Sequence, residues 1–381
     1  MAARTWSITS TGNSTDAVME AAGAEGMSVR HYTGQAGLSA GVEVLEVTNG
    51  KLKISVLPTR GMSMWDMYYG DERIGWKSPV RGPVHPGFVD VGEPSGLGWL
   101  DGFDELLVRC GLESNGAPEH DENGKLLYPL HGRIANKPAH QVDVTIDPES
   151  KEITIVGVVE ETRFHFLKLR MTTTIKTKAG EKGFRIHDEI ENVSESPAEM
   201  QMLYHVNLGD PLLDAGSKVV APIKTIVPRN AHAAEGLKSW ESYEAPQPGF
   251  EEQVYFFELL ADADGQTQAL LKNAHGTRGT RMLFNKQQLP CFTVWKNTTA
   301  ISDGFVTGLE PGTNFPNPRT YEGEQGRVVK LKGGGSFGFD WQLEYLSHDA
   351  EVEGAEAAIA KLQGDTQPKV YDSPQDGWCA P

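Results

Sequence analysis

Val42-Glu43-Val44-Leu45-Glu46-Val47-Thr48-Asn49-Gly50-Lys51-Leu52-Lys53-Ile54-Ser55-Val56 decides the architecture. Two apolar, β-branched-rich runs, Val42 to Val47 and Leu52 to Val56, flank Asn49-Gly50. Asn and Gly accept positive φ readily, so this dipeptide reads as the tip of a tight hairpin. The same pattern continues outward. Met62 to Tyr69 and Arg73 to Trp76 flank Gly70-Asp71. Ile153 to Val159, Phe166 to Thr177, Phe184 to Val193 and Met200 to Asn207 follow, and then Val254 to Leu260, Ala269 to Lys272, Arg281 to Phe284, Phe292 to Trp295 and Phe337 to Tyr345.

Many short strands with almost no helix between them predict an all-β fold, a large antiparallel β-sandwich. The one convincing helix is Asp349 to Leu362, whose partial apolar stripe (Ala355, Ala357, Ala358, Ile359, Leu362) places it on the outside. No composition break marks a linker. Residues 1–381 therefore read as one domain, with an extension over 1–30 and a helix and tail over 349–381, of which Pro374 to Pro381 reads as loose. Residues 77–128 form the longest irregular stretch, and an insertion of that length in a compact domain is often functional.

Composition bounds the partners. With 52 acidic and 35 basic residues the formal charge is −17, a field that repels nucleic acid and anionic membrane. Three widely spaced cysteines, Cys110, Cys291 and Cys379, give neither a disulfide framework nor zinc-ligand spacing. No apolar h-region or membrane span is visible. These features predict a cytoplasmic protein.

Val306-Thr307-Gly308-Leu309-Glu310-Pro311-Gly312-Thr313-Asn314-Phe315-Pro316-Asn317-Pro318-Arg319 is the first candidate for chemistry. A strand ends at a carboxylate, and the prolines then predict a stiff, exposed loop carrying Asn314, Asn317 and Arg319. Alternation sets Phe305, Thr307 and Leu309 on one face and Val306, Gly308 and Glu310 on the other, where the glycine leaves room beside Glu310.

Two of the 11 histidines stand apart. His131 lies in Leu130-His131-Gly132-Arg133, a corner exposing donors on rigid backbone. His205 lies in Met200-Gln201-Met202-Leu203-Tyr204-His205-Val206-Asn207-Leu208, where Gln201, His205 and Asn207 share a face opposite the apolar Met200, Met202, Tyr204 and Val206. A carboxylate such as Glu310 near an imidazole favours its protonated form and supplies one base and one acid. On that basis the acidic limb of a pH profile would belong to Glu310 and the basic limb to His205.

Leu130-His131-Gly132-Arg133, Tyr204-His205-Val206-Asn207-Leu208 and Gly308-Leu309-Glu310-Pro311, in this order, resemble the aldose 1-epimerases, the galactose mutarotase family. Arg60-Gly61-Met62 and the Glu310 to Arg319 segment point to their uncharacterised bacterial branch, and the likeness spans roughly residues 40–345. It implies a β-supersandwich that binds a small sugar across a concave sheet without cofactor or metal. By motif it makes Glu310 the base, His205 the acid and His131 a sugar ligand. Arg133, Asn207, Arg60, Arg109, Trp295, Lys296, Asn314 and Arg319 complete the candidate substrate-binding set. The second motif keeps only the His and the following Asn-Leu of the family pattern. No residue matches the family's sugar-binding Asp, so the sugar is left unnamed.

Competing classes share the scaffold. A non-catalytic carbohydrate-binding protein would use Trp65, Trp76, Trp99 and Trp295 for stacking. A metal-dependent sugar isomerase would use His131, His205 and Glu310 as ligands. A glycoside lyase or hydrolase is a further class. Arg60, Arg109, Arg133, Lys296 and Arg319 near the candidate segments suggest a sugar with an acidic group. The alternative pairs them with local acids such as Asp104, Glu105 and Glu322.

Overall fold

The computed structural model describes residues 2–9 and 17–381. The described strands form two large, mainly antiparallel sheets, one of fourteen strands and one of nine, with a separate two-stranded ribbon. Six neighbouring strands of the larger sheet carry the site: β1 (Ser63–Tyr69), β2 (Leu107–Leu112), β3 (Ala198–Gly209), β4 (Gln253–Leu259), β5 (Cys291–Asn297) and β6 (Val306–Gly312). Their spatial order is β1-β2-β3-β6-β5-β4.

The Val42 to Val56 hairpin forms as Glu43–Asn49 and Leu52–Leu57, but its tip is Gly50-Lys51. Asn49 remains in the strand and closes the turn with its side chain. Its Oδ1 accepts from the Lys51 and Leu52 amides, and its Nδ2 donates to Lys178 O, tying the turn to the opposite sheet.

One apolar cluster joins the inner faces of both sheets. Leu45, Val56, Tyr204, Val206 and Leu309 from the larger sheet meet Val144, Ile155, Ile186 and Leu343 from the smaller. A polar bridge is embedded in this core. Arg109 Nε donates to Asp188 Oδ2 (2.6 Å) and Nη2 to Asp188 Oδ1 (3.0 Å), and Nη2 also reaches Thr173 Oγ1 (2.7 Å). The Tyr204 hydroxyl donates to Asp188 Oδ2 at 2.8 Å. Desolvating such an ion pair is costly unless every donor and acceptor is engaged, as here.

Three α-helices occur among the described residues, Ala231–Glu235, Arg319–Glu324 and Asp349–Gln363. The last lies on the smaller sheet through Val352, Ala355 and Ile359, against Leu270 and Leu346. Among the described residues no helix is long and apolar enough to cross a membrane.

Three expectations are overturned. Within residues 77–128 lies a central strand, β2. Both of its faces are covered, so Leu106-Leu107-Val108-Arg109-Cys110 shows no polar alternation. The stretch after Glu310 is not exposed. β6 runs through Pro311 to Gly312, and Asn314, Phe315 and Asn317 are buried. Nor is the C-terminal tail loose. Trp378 stacks on Phe315 (5.0 Å, 25°), the Asn317 amide donates to Trp378 O, and Cys379 is buried. The segment 1–30 contributes edge strands: Arg4–Thr9 pairs with Ala139–Asp147, and Ala17–Met19 pairs with Met27–Thr33.

Candidate active site

The register between β3 and β6 pairs Val206 with Leu309 and Asn207 with Gly308, so His205 and Glu310 face each other on adjacent strands. Their side chains leave the sheet on the side opposite the main core. Glu310 Oε1 lies 3.2 Å from His205 Nε2, and both residues are nearly inaccessible, at 2% and 4%. The pair is close but poorly aligned, so Glu310 Oε1 has no hydrogen-bond partner. Gly308 makes the approach possible. A Cβ there would lie 2.5 Å from Glu310 Oε1 and 3.0 Å from His205 Cε1.

A chain of bonds orients the imidazole. Asn207 Nδ2 donates to Glu105 O at 2.9 Å, which turns its Oδ1 toward His205 Nδ1, 2.6 Å away. His205 Nδ1 is therefore the donor, and in the neutral ring Nε2 faces Glu310 as an acceptor.

His131 reaches the same cleft from a corner of unusual backbone. His131 (φ 55) and Gly132 (φ 73) are both left-handed. A Cβ on Gly132 would lie 2.0 Å from Ser114 O, and the histidine's own conformation costs roughly 1–2 kcal/mol. His131 Nδ1 donates to Asn115 O (2.9 Å), and its ring stands at 82° to that of His205, centroids 5.3 Å apart. Trp99, Phe103 and Trp295 wall the two imidazoles.

Burial sets the protonation. Desolvation pushes the Glu310 carboxyl well above its ordinary range, with the Glu252 charge adding to the rise and Arg229 opposing it. Desolvation, then the nearby His131, pushes His205 well below its usual value. Desolvation lowers His131 to about 4, although the hydrogen bond to Asn115 opposes this. The expectation that Glu310 keeps His205 protonated is therefore reversed. In the free cleft the loss of hydration disfavours charge on both groups.

His131, His205, Glu310 and Trp295 all line one cleft of about 280 Å³. The other predicted ligands lie elsewhere. Arg109 points between the sheets, one step out of phase with Val108 and Cys110. Arg60 is 1% exposed and donates to Glu105 (2.6 Å), Val84 O, Asn136 and Gly102 O. It thereby braces the segment whose carbonyl orients Asn207. Lys296 donates to Ser239 O and Ser242 O, and burial lowers it to about 8. Asn314 forms a reciprocal amide pair with Asn115 (2.8 and 2.7 Å), directly behind His131. Arg133 pairs with Glu113, and Arg319 with Glu199 and Glu113 O. These cations are thus committed to carboxylates or backbone carbonyls, although of the acids named as alternatives only Glu105 is a partner, to Arg60.

Arg229 and Glu252 line the cleft and escaped the sequence reading, because neither lies in a recognisable motif. The irregular stretch 77–128 does contribute, through Leu97, Trp99, Leu100, Phe103 and Pro118. A larger hollow of about 540 Å³ beside the last helix is lined by Lys182, Arg281, Glu344 and Glu351, which pair among themselves. Among the described residues no group of three His, Cys, Asp or Glu could hold a metal ion.

The large antiparallel β-sandwich is the fold of the galactose mutarotase-like proteins. The chain belongs to the aldose 1-epimerase family, in the branch described as a domain of unknown function, DUF4432, which matches residues 39–345. A crystal structure from Klebsiella pneumoniae, provisionally assigned as an aldose 1-epimerase, is similar at TM-score 0.94 and 36% identity, covering 98% of this chain and 99% of that one. Galactose 1-epimerase from Lactobacillus acidophilus (TM-score 0.56, 10% identity, 84% and 98% covered) shares the fold. So does a galactose mutarotase-like protein from Clostridium acetobutylicum (0.55, 14%, 83% and 98%). Among curated proteins there is no significant sequence match.

Proposed function

We propose that this protein is an isomerase of the aldose 1-epimerase type, interconverting the anomers of a sugar by acid–base ring opening. The observation that carries this is the buried His205–Glu310 contact of 3.2 Å facing a cleft. A cleft of about 280 Å³ suits one sugar ring.

The chemistry runs through one shared proton. Its transfer from Glu310 to His205 creates a carboxylate and an imidazolium. Glu310 then takes the proton of the anomeric hydroxyl while the C1–O5 bond breaks and His205 donates to O5. The open aldehyde stands beside a neutral carboxylic acid and a neutral imidazole, the protonation state that burial favours. Desolvation of the pair thus favours this intermediate over the carboxylate–imidazolium state that precedes it. Rotation about C1–C2 and reversal of both transfers give the other anomer. His131, neutral and with Nδ1 committed to Asn115 O, offers Nε2 as an acceptor for a sugar hydroxyl.

Exchange NMR on a panel of aldoses tests the proposal: the purified protein accelerates anomer exchange of at least one. Tight binding without faster exchange of any panel member would favour the carbohydrate-binding class instead.

A further inference from the structure

Arg229 and Glu252 stand at neighbouring strand ends on the cleft wall. Arg229 follows the strand Ile223–Pro228, Glu252 precedes β4, and the Arg229 amide donates to Val254 O at 2.9 Å. Glu252 Oε2 accepts from Trp295 Nε1 at 2.6 Å, and its Oε1 lies 3.7 Å from Arg229 Nη1. That last distance is an ion pair without a hydrogen bond, and the guanidinium donates to no other described residue. Both side chains are substantially exposed, at 40% and 49%.

We propose that Trp295, Glu252 and Arg229 form the specificity-determining element of the cleft, reading hydroxyl groups of an uncharged sugar and turning away sugars with an anionic substituent. This rests on the anomer-exchange function proposed above. Arg229 is the cation of the cleft, and alone it would attract an anion. Glu252 cancels it and is not free to swing aside. Its indole partner packs on His205 (5.5 Å) and Phe103 (6.1 Å), so moving the carboxylate either breaks a hydrogen bond or disturbs the acid–base pair. An incoming carboxylate or phosphate therefore meets a fixed negative charge beside the guanidinium. A pair of hydroxyls suffers no such conflict. One donates to Glu252 while another accepts from Arg229, using donors that the protein itself leaves idle. The acidic sugar suggested by Arg60, Arg109, Arg133, Lys296 and Arg319 loses its support, because those cations are engaged elsewhere.

The experiment compares D-glucose with D-glucuronate and D-galactose with D-galacturonate. Anomer exchange is measured for the wild type, Glu252→Gln and Arg229→Gln, and calorimetric binding is measured in a Glu310→Gln background. Glu252→Gln keeps an acceptor for the Trp295 indole but removes the charge. The wild type favours each neutral sugar over its acid. Glu252→Gln shifts the ratio toward the acid by about tenfold, the scale of one close, partly solvated charge contact. Arg229→Gln raises KM for the neutral sugar more than it lowers kcat. An unchanged neutral-to-acid ratio in Glu252→Gln, or a wild type that prefers the uronic acids, overturns the proposal. Binding in the Glu310→Gln background that keeps the Glu252-dependent charge preference, with no exchange in the wild type, supports the filter while refuting the epimerase function.

Discussion

His205 Nε2 and Glu310 Oε1 meet at 3.2 Å across two hydrogen-bonded strands, deep enough that neither group titrates alone. Independent groups at their ordinary values, 4.5 and 6.5, would give activity only between those limits and a fall as pH rises through 6.5. The proposed mechanism needs one proton on the pair, and burial, which raises Glu310 and lowers His205, opposes both the loss of that proton from Glu310 and the arrival of a second on His205. The low limb is then the second proton arriving on His205, and the high limb is the last proton leaving Glu310. The log of kcat/KM should stay level through pH 6.5, and a decline there would contradict the shared-proton pair.

His131 should remain neutral until pH nears 4. Nitrogen-15 chemical shifts of its ring, followed from pH 8 to 4, should show the Nδ1-protonated neutral tautomer throughout most of that range. Protonation near 6.5 would mean that the ring is hydrated, not desolvated.

Arg109 braces the two sheets and does not touch the cleft. Arg109→Met leaves Asp188 buried and unpaired and should cost roughly 3–5 kcal/mol in urea unfolding, with KM of the folded protein unchanged. A raised KM at undiminished stability would instead make Arg109 a ligand.

Asn314 is linked to the cleft through Asn115, whose carbonyl accepts from His131. Asn314→Ala orphans the Asn115 amide and should cost about 1–3 kcal/mol of stability. Because Asn115 O holds the His131 ring, KM should rise as well. Loss of stability with KM untouched would separate the brace from the ligand.

Period-two alternation made the sandwich, the His205 face and the Glu310 face legible, since Gln201, His205 and Asn207 alternate with apolar residues along β3 even though both of its faces are buried. It failed for β2, where both faces are covered and a buried Arg109 sits in an apolar run. Proline chemistry misled in β6. Pro311 sits in a central strand, and the ladder with β3 resumes beyond it at Leu203 and Gly312. Motif order located His131, His205 and Glu310. Charge near a motif was a poor guide to ligands, because Arg60, Arg109 and Arg319 each find a partner in the fold. Arg229 and Glu252 gain meaning only from tertiary neighbours, and no local pattern announces those.

The central measurement is the anomer-exchange rate of Glu310→Gln and His205→Asn, on the sugar that the wild type turns over best. Glu310→Gln keeps shape and each substitution removes one proton carrier, so each should slow exchange by about 10²–10⁴-fold while melting temperature changes little. Near-wild-type exchange in Glu310→Gln would contradict a role for Glu310 as the base and, with it, the assignment of this cleft as the site of ring opening.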